Sequence, residues 1–89
     1  MRTETVMGNL IAKTEAVVKK HGGGHVSGVR IALGPLSSMS SSKITDLYER
    51  ATSGTCMEGA VLEFETIDDI YHPMAQEIVL EGVEIEVPR

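Results

Sequence analysis

Apolar positions near the start of the chain recur with the period of a helix. Across residues 4–20, Val6, Met7, Leu10, Ile11, Thr14, Val17 and Val18 fall within about 140° of arc, a stripe able to face a core. Asn9, Lys13, Lys19 and Lys20 take the opposite side, and Glu15 is placed to pair with Lys19 one turn on. Thr3 is positioned as an N-cap, and Gly22-Gly23-Gly24 stops the helix. Period two follows: over residues 25–33, Val29, Ile31 and Leu33 alternate with Gly28, Arg30 and Ala32, which predicts a strand ended by Gly34-Pro35. A serine-rich loop leads into a second helix over 43–53, capped by Ser41 or Ser42 and closed by Gly54. Its core face carries Ile44, Leu47, Tyr48 and Ala51.

Residues 60–67 form the next strand, with Leu62 and Phe64 inward and Glu63 and Glu65 outward. Asp68-Asp69 and Tyr71-His72-Pro73 mark a turn region. Residues 76–87 are again strand-like, but the apolar phase changes: Ile78 and Leu80 are even, whereas Val83, Ile85 and Val87 are odd. A one-residue slip reverses every side chain, so a bulge or tight turn near Glu81-Gly82 must restore the face. The resulting order, α-β-α-β-β, predicts an α+β fold with two helices on one face of a small mixed three-stranded sheet.

Composition narrows the functions such a fold can serve. The 89 residues are 42% apolar and 24% charged, ordinary globular usage that suits one domain over 1–89. Tyr48, Phe64 and Tyr71 are the aromatics, so aliphatic side chains fill the core. Cys56 stands alone, which excludes an internal disulfide and a thiolate-rich zinc site within one chain. No apolar run approaches a membrane span and no signal-peptide pattern opens the chain, so a soluble, cytoplasmic setting is expected. Charge is divided: residues 1–57 carry seven basic and four acidic side chains, whereas 58–89 carry one basic and nine acidic. Without a basic stripe the chain is not expected to bind nucleic acid, since phosphate neutralisation supplies most of that affinity.

Three stretches carry a family likeness: Val29-Arg30-Ile31-Ala32-Leu33-Gly34-Pro35-Leu36-Ser37, the helix around Leu47-Tyr48-Glu49, and Gly54-Thr55-Cys56-Met57-Glu58-Gly59-Ala60-Val61-Leu62-Glu63-Phe64-Glu65. Together they resemble the HypA/HybF family of nickel metallochaperones, which serve maturation of nickel-iron hydrogenase and, in some organisms, urease. The likeness is clear over residues 4–66 and looser over the last strand. Family members open Met-His-Glu, and that histidine with nearby backbone nitrogens is thought to hold nickel; here Met1-Arg2-Thr3-Glu4 puts Thr3 in its place. Threonine lacks the neutral imidazole nitrogen that Ni²⁺ favours. The family also carries a zinc module with two Cys-x-x-Cys pairs before its final strand, whereas residues 67–75 contain no cysteine, so no zinc is expected.

The remaining metal-ligand candidates are Glu4, His21, His25 and His72. His21 and His25 flank the three glycines, and His72 sits near Asp68 and Asp69. The plainer account makes His21 a helix-end residue complementing the dipole and the others loop residues. Cys56 reads as a small semi-buried hydrophobe, since nothing nearby would activate a thiolate. Gly22-Gly23-Gly24 follows a helix, not a strand, so it is punctuation and not a phosphate loop. Glu81, Glu84 and Glu86 guard an edge strand, unless that edge pairs with a second copy in a homodimer.

No nucleophile-base-orienter set can be assembled, so no enzymatic activity is expected. The residues and the resemblance point to an accessory protein of nickel metalloenzyme maturation. It would be a reduced metallochaperone or a docking module, whose partner is a metalloenzyme subunit or maturation protein. The alternative is a regulatory or small-molecule-binding domain that keeps the fold without the metal.

Overall fold

The structure, a computed structural model, describes residues 3–86, the side chains of Thr3 and Glu4 excepted. Its elements are α1 (Thr3–Lys20), β1 (His25–Leu33), α2 (Ser41–Thr52), β2 (Val61–Thr66) and β3 (Ile78–Glu86). β1 is central in a sheet of order β2-β1-β3, parallel to β2 and antiparallel to β3. Parallel neighbours need a crossover, and α2 supplies it. This is the expected α+β architecture of two helices and a mixed sheet.

The apolar stripes explain the packing. From α1, Val6, Met7, Leu10 and Val18 are buried; they meet Ile44 and Tyr48 of α2 and Val26, Val29, Ile31 and Leu33 of β1. Burial of each such aliphatic side chain contributes about 1.5–3 kcal/mol. Two threonines share this interior because each hydroxyl is satisfied within its own helix. Thr14 Oγ1 donates to Leu10 O at 2.7 Å and Thr52 Oγ1 to Tyr48 O at 2.7 Å. The Tyr48 hydroxyl in turn reaches Thr14 Oγ1 at 3.4 Å and Met57 Sδ at 3.5 Å.

The phase change along β3 is repaired where the alternation demands it. Arg30 pairs with Gly82 but Ile31 with Leu80, so Glu81 is the extra, bulged residue. Ile78, Leu80, Val83 and Ile85 consequently all pack against the core. A second bulge was not anticipated: Val26 pairs with Ile85 and Gly28 with Glu84, leaving Ser27 extra on β1. It puts Val26 on the same face as Val29, and Val26 is fully buried. One bulge on each strand cancels the other, so the register of the two ends agrees.

Several local expectations are corrected. The cap of α2 is Ser40, whose Oγ accepts the Lys43 N–H at 3.3 Å, because the helix starts two residues before position 43. On that helix Ala51 is exposed and Thr52 buried, since the core face follows Ile44, Tyr48 and Thr52 at successive fourth positions. Thr3 lies inside α1 instead of preceding it as a cap. The i,i+4 ion pair among the described residues is Asp46–Arg50 on α2, at 3.1 Å, and Glu15 does not reach Lys19. The helix stop after Lys20 is as expected: Gly23 N–H bonds Val18 O and Gly22 N–H bonds Lys19 O, the paired bonds of a Schellman turn.

The connection between β2 and β3 is held by its backbone. Ile67 N–H bonds Leu33 O, Gly34 N–H bonds Glu77 O, and Leu36 N–H bonds Ala75 O at 2.8 Å. Gly34 is needed there for space, because a Cβ would overlap the Ala75 carbonyl and lie 2.6 Å from Met74 O. Residues 67–77 are thereby fixed at the Leu33 end of the sheet.

Candidate functional site

The stretch that carries the strongest family likeness, residues 54–65, is accounted for by folding. Gly54 and Gly59 both adopt φ of +81°, a conformation that disfavours side chains. Thr55 Oγ1 donates to Thr52 O at 2.6 Å and accepts the Met57 N–H at 3.1 Å. Met57 turns inward to 1% exposure and Ala60 is buried. These residues build the turn from α2 into β2 and concentrate no reactive groups. Cys56, expected to be semi-buried, is exposed, because the neighbouring Met57 takes the inward position. Its carbonyl accepts the Val26 N–H at 2.8 Å, so its backbone anchors the start of β1.

The candidate metal ligands are spread over the two ends of the sheet. His21 and His25 lie where α1 turns into β1, and both are exposed. His25 Nε2 donates to Glu58 O at 3.0 Å, which leaves Nδ1 as its open acceptor. The intervening glycines do not act as a free hinge: a Cβ on Gly24 would meet Glu86 O and Ile85 Cγ2 at 2.8 Å each. His72 lies at the other end, in the segment tied to Leu33 and Gly34. The length of β1 separates these ends by about 26 Å at ~3.3 Å per residue, against metal–nitrogen bonds of roughly 2 Å.

His72 is engaged as well. Its Nδ1 accepts the Met74 N–H at 3.0 Å, and Asp69 Oδ1 accepts the Tyr71 N–H at 2.9 Å. In that tautomer Nε2 carries the proton, so ligation through Nε2 must break the loop's own hydrogen bond. Among the described residues no three His, Cys, Asp or Glu side chains are grouped to hold an ion. The Glu4 side chain, like Met1 and Arg2, lies outside the described residues, as does the side chain of Thr3. The structure thus brings His21 and His25 to one end and sends His72 to the other.

Among the depressions against the sheet, two bear on function. One, of about 460 Å³, lies on the face away from the helices, with Arg30 between Glu63 and Glu84 and Gly28 and Gly82 as its floor. The other, of about 420 Å³, runs between α1 and the Leu33 end. Asn9, Lys13, Ser38, Gln76 and Glu77 are its polar groups, and Leu10 and Ile78 are part of its apolar wall. Among the described residues the titratable group with a displaced pKa is interior: burial pushes the Tyr48 phenol up, against the lowering effect of the Thr14 hydrogen bond. It touches neither depression.

Sequence reasoning missed one feature. Leu36, Ile70, Tyr71 and Met74 are exposed at 51%, 53%, 88% and 38%, and they gather on the β2–β3 connection and the loop tied to it. The signal was present as three large apolar residues within an acidic turn region that needed only a turn.

Fold and site together define a small α+β protein with a helix-covered mixed sheet, an open sheet face and an apolar loop at one end. A solved structure shares this architecture: the solution structure of the Ni metallochaperone HypA from Helicobacter pylori. The two are similar with a TM-score of 0.78 and 18% sequence identity, over 96% of this chain and 97% of that one. At that identity the likeness establishes the fold. No protein-family model and no curated protein sequence matches the chain. Among the described residues no helix is long and apolar enough to cross a membrane.

Proposed function

We propose that this protein is a non-enzymatic accessory factor of nickel metalloenzyme maturation, of the hydrogenase type, that acts as a docking module. In this reading residues 1–89 form one HypA-like domain without a zinc-binding insertion, working in the cytoplasm. Its partner is a metalloenzyme subunit or maturation protein. The observation that carries the reading is the fold likeness to a nickel metallochaperone over nearly the whole of both chains. The motif residues quoted above support it. Docking is favoured over carriage because the candidate ligands do not converge: His25 and His72 stand at opposite ends of β1, each already holding a backbone group. His72 then acts, where nickel meets this chain, as a weak contact separate from His21 and His25, and Glu4 stays a candidate from the sequence alone.

Calorimetric titration of the tag-free protein with Ni²⁺ tests the choice. Docking predicts no binding tighter than about millimolar, unchanged when His21, His25 and His72 are each replaced by alanine. Micromolar binding that is lost in one of those variants would instead establish a carrier. A second reading, a regulatory or small-molecule-binding domain, draws on the depression lined by Asn9, Lys13, Ser38 and Gln76. Saturable binding of a small molecule that shifts the resonances of those residues, with no effect of the chain on nickel enzymes, would replace the first reading by the second.

A further inference from the structure

We infer that the β2–β3 connection is a preformed knuckle that docks into an apolar pocket ringed by Lys and Arg on a partner protein. The inference goes beyond the maturation reading and rests on no metal. Of the five large hydrophobic side chains that stand exposed among the described residues, four are Leu36, Ile70, Tyr71 and Met74. A turn that had only to join two strands would be expected to carry polar side chains in their place. Tyr71, at 88% exposure, has the character of an interface anchor: a large rigid ring with a polar tip and little rotamer entropy to lose.

The backbone beneath the anchors is already fixed. Asp69 Oδ1 holds the Tyr71 N–H and His72 Nδ1 holds the Met74 N–H. Ala75 O holds the Leu36 N–H, and Ala75 itself is 4% exposed. Docking therefore orders little further backbone, and such preorganisation lowers the entropic cost of association.

Charge selects the occupant. Asp68 and Asp69 adjoin the anchors and Glu77 follows them, while residues 58–86 contain no Lys or Arg. Lys13 lines the same depression as Leu36 and Glu77, on the helix side of Leu36. A second copy would set Asp68 and Asp69 against their own equivalents in an isologous contact, which like charge disfavours. An anionic membrane surface would be repelled in the same way. A partner with basic residues around an apolar pocket satisfies both the anchors and their rim.

Selection of short random peptides, displayed on phage, against the immobilised full-length chain tests this. The expected winners carry an aromatic or aliphatic residue flanked by Lys or Arg. Their affinity should fall about tenfold or more on Tyr71→Ala, be largely kept by Tyr71→Phe, and weaken with added salt and on the double change Asp68→Asn, Asp69→Asn. Because Tyr71 is so exposed, the Tyr71→Ala chain should unfold at the wild-type temperature, which separates lost docking from lost folding. Winners indifferent to Tyr71→Ala, a selection yielding no binder, or a Tyr71-dependent homodimer in sedimentation would each overturn the inference. None of these outcomes depends on nickel.

Discussion

Replacing Gly34 by alanine probes the contact that fixes the β2–β3 connection. Gly34 has an ordinary backbone angle, so what the substitution meets is steric: the new Cβ would overlap the Ala75 carbonyl and lie 2.6 Å from Met74 O. Both obstacles are backbone, so the segment must move as a unit. Movement strains the Gly34–Glu77 and Leu36–Ala75 hydrogen bonds, each worth about 1 kcal/mol. It also uncovers the buried Ala75 methyl, worth about 0.8 kcal/mol. Against a loss of about 3 kcal/mol stands a gain of about 0.4–1 kcal/mol, because alanine restricts the unfolded chain. The net expectation is destabilisation by about 2 kcal/mol, or a melting temperature lower by roughly 8–16 °C for a domain of this size. Urea and thermal unfolding followed by circular dichroism measure it directly. A Gly34→Ala protein within about 0.5 kcal/mol of wild type would refute the steric argument.

Three further outcomes follow from the same packing. Gly8 lies on the exposed side of α1 with open space where a Cβ would sit, so Gly8→Ala should stabilise by about 0.5–1 kcal/mol in the same denaturation assay. Burial raises the Tyr48 pKa, so above pH ~10 the unfolded chain loses this proton before the folded one does. Stability present below that pH should therefore fall as pH rises, by up to about 1.4 kcal/mol per unit, and Tyr48→Phe should remove that component of alkaline unfolding. Deleting Glu81 joins Leu80 directly to Gly82 and leaves the Ile31–Leu80 and Arg30–Gly82 pairs in register, so Val83 and Ile85 keep their core face. That chain should still unfold in one cooperative transition by calorimetry, and loss of the transition would refute the assignment of Glu81 as the extra residue.

The helices and strands were legible because their apolar periods are unbroken or break only once. The odd-even switch along residues 78–85 even located the Glu81 bulge, since two apolar runs of opposite phase can share a face in few ways. The Ser27 bulge left no such trace: Gly28 has no side chain with which to mark a face, and Val26 alone carries the earlier phase. Ala51 and Thr52 were exchanged because threonine counts as polar until its hydroxyl is seen to bond Tyr48 O within the helix. Cys56 was expected to be semi-buried, yet Met57 takes the inward position, because neither hydrophobicity nor spacing tells which of two adjacent turn residues points inward.

The candidate site was legible only as a list of residue types. His21, His25 and His72 are chemically suited to a metal, but what separates them is the length of β1, a tertiary fact. His25 and His72 are further engaged by backbone groups that sequence spacing does not identify. The fold likeness was foreshadowed by residues 54–65. Those residues proved to be turn-builders, which explains how they can mark a fold without marking an activity.

Nickel loading in cells that make this protein puts the maturation reading to its most direct test: the radioactive nickel incorporated into their hydrogenase or urease, with and without the chain. Nickel content is expected to fall when the chain is removed. It should be restored by the wild type and by a variant with His21, His25 and His72 all changed to alanine, but not by Tyr71→Ala. Unchanged nickel content in its absence would contradict the account.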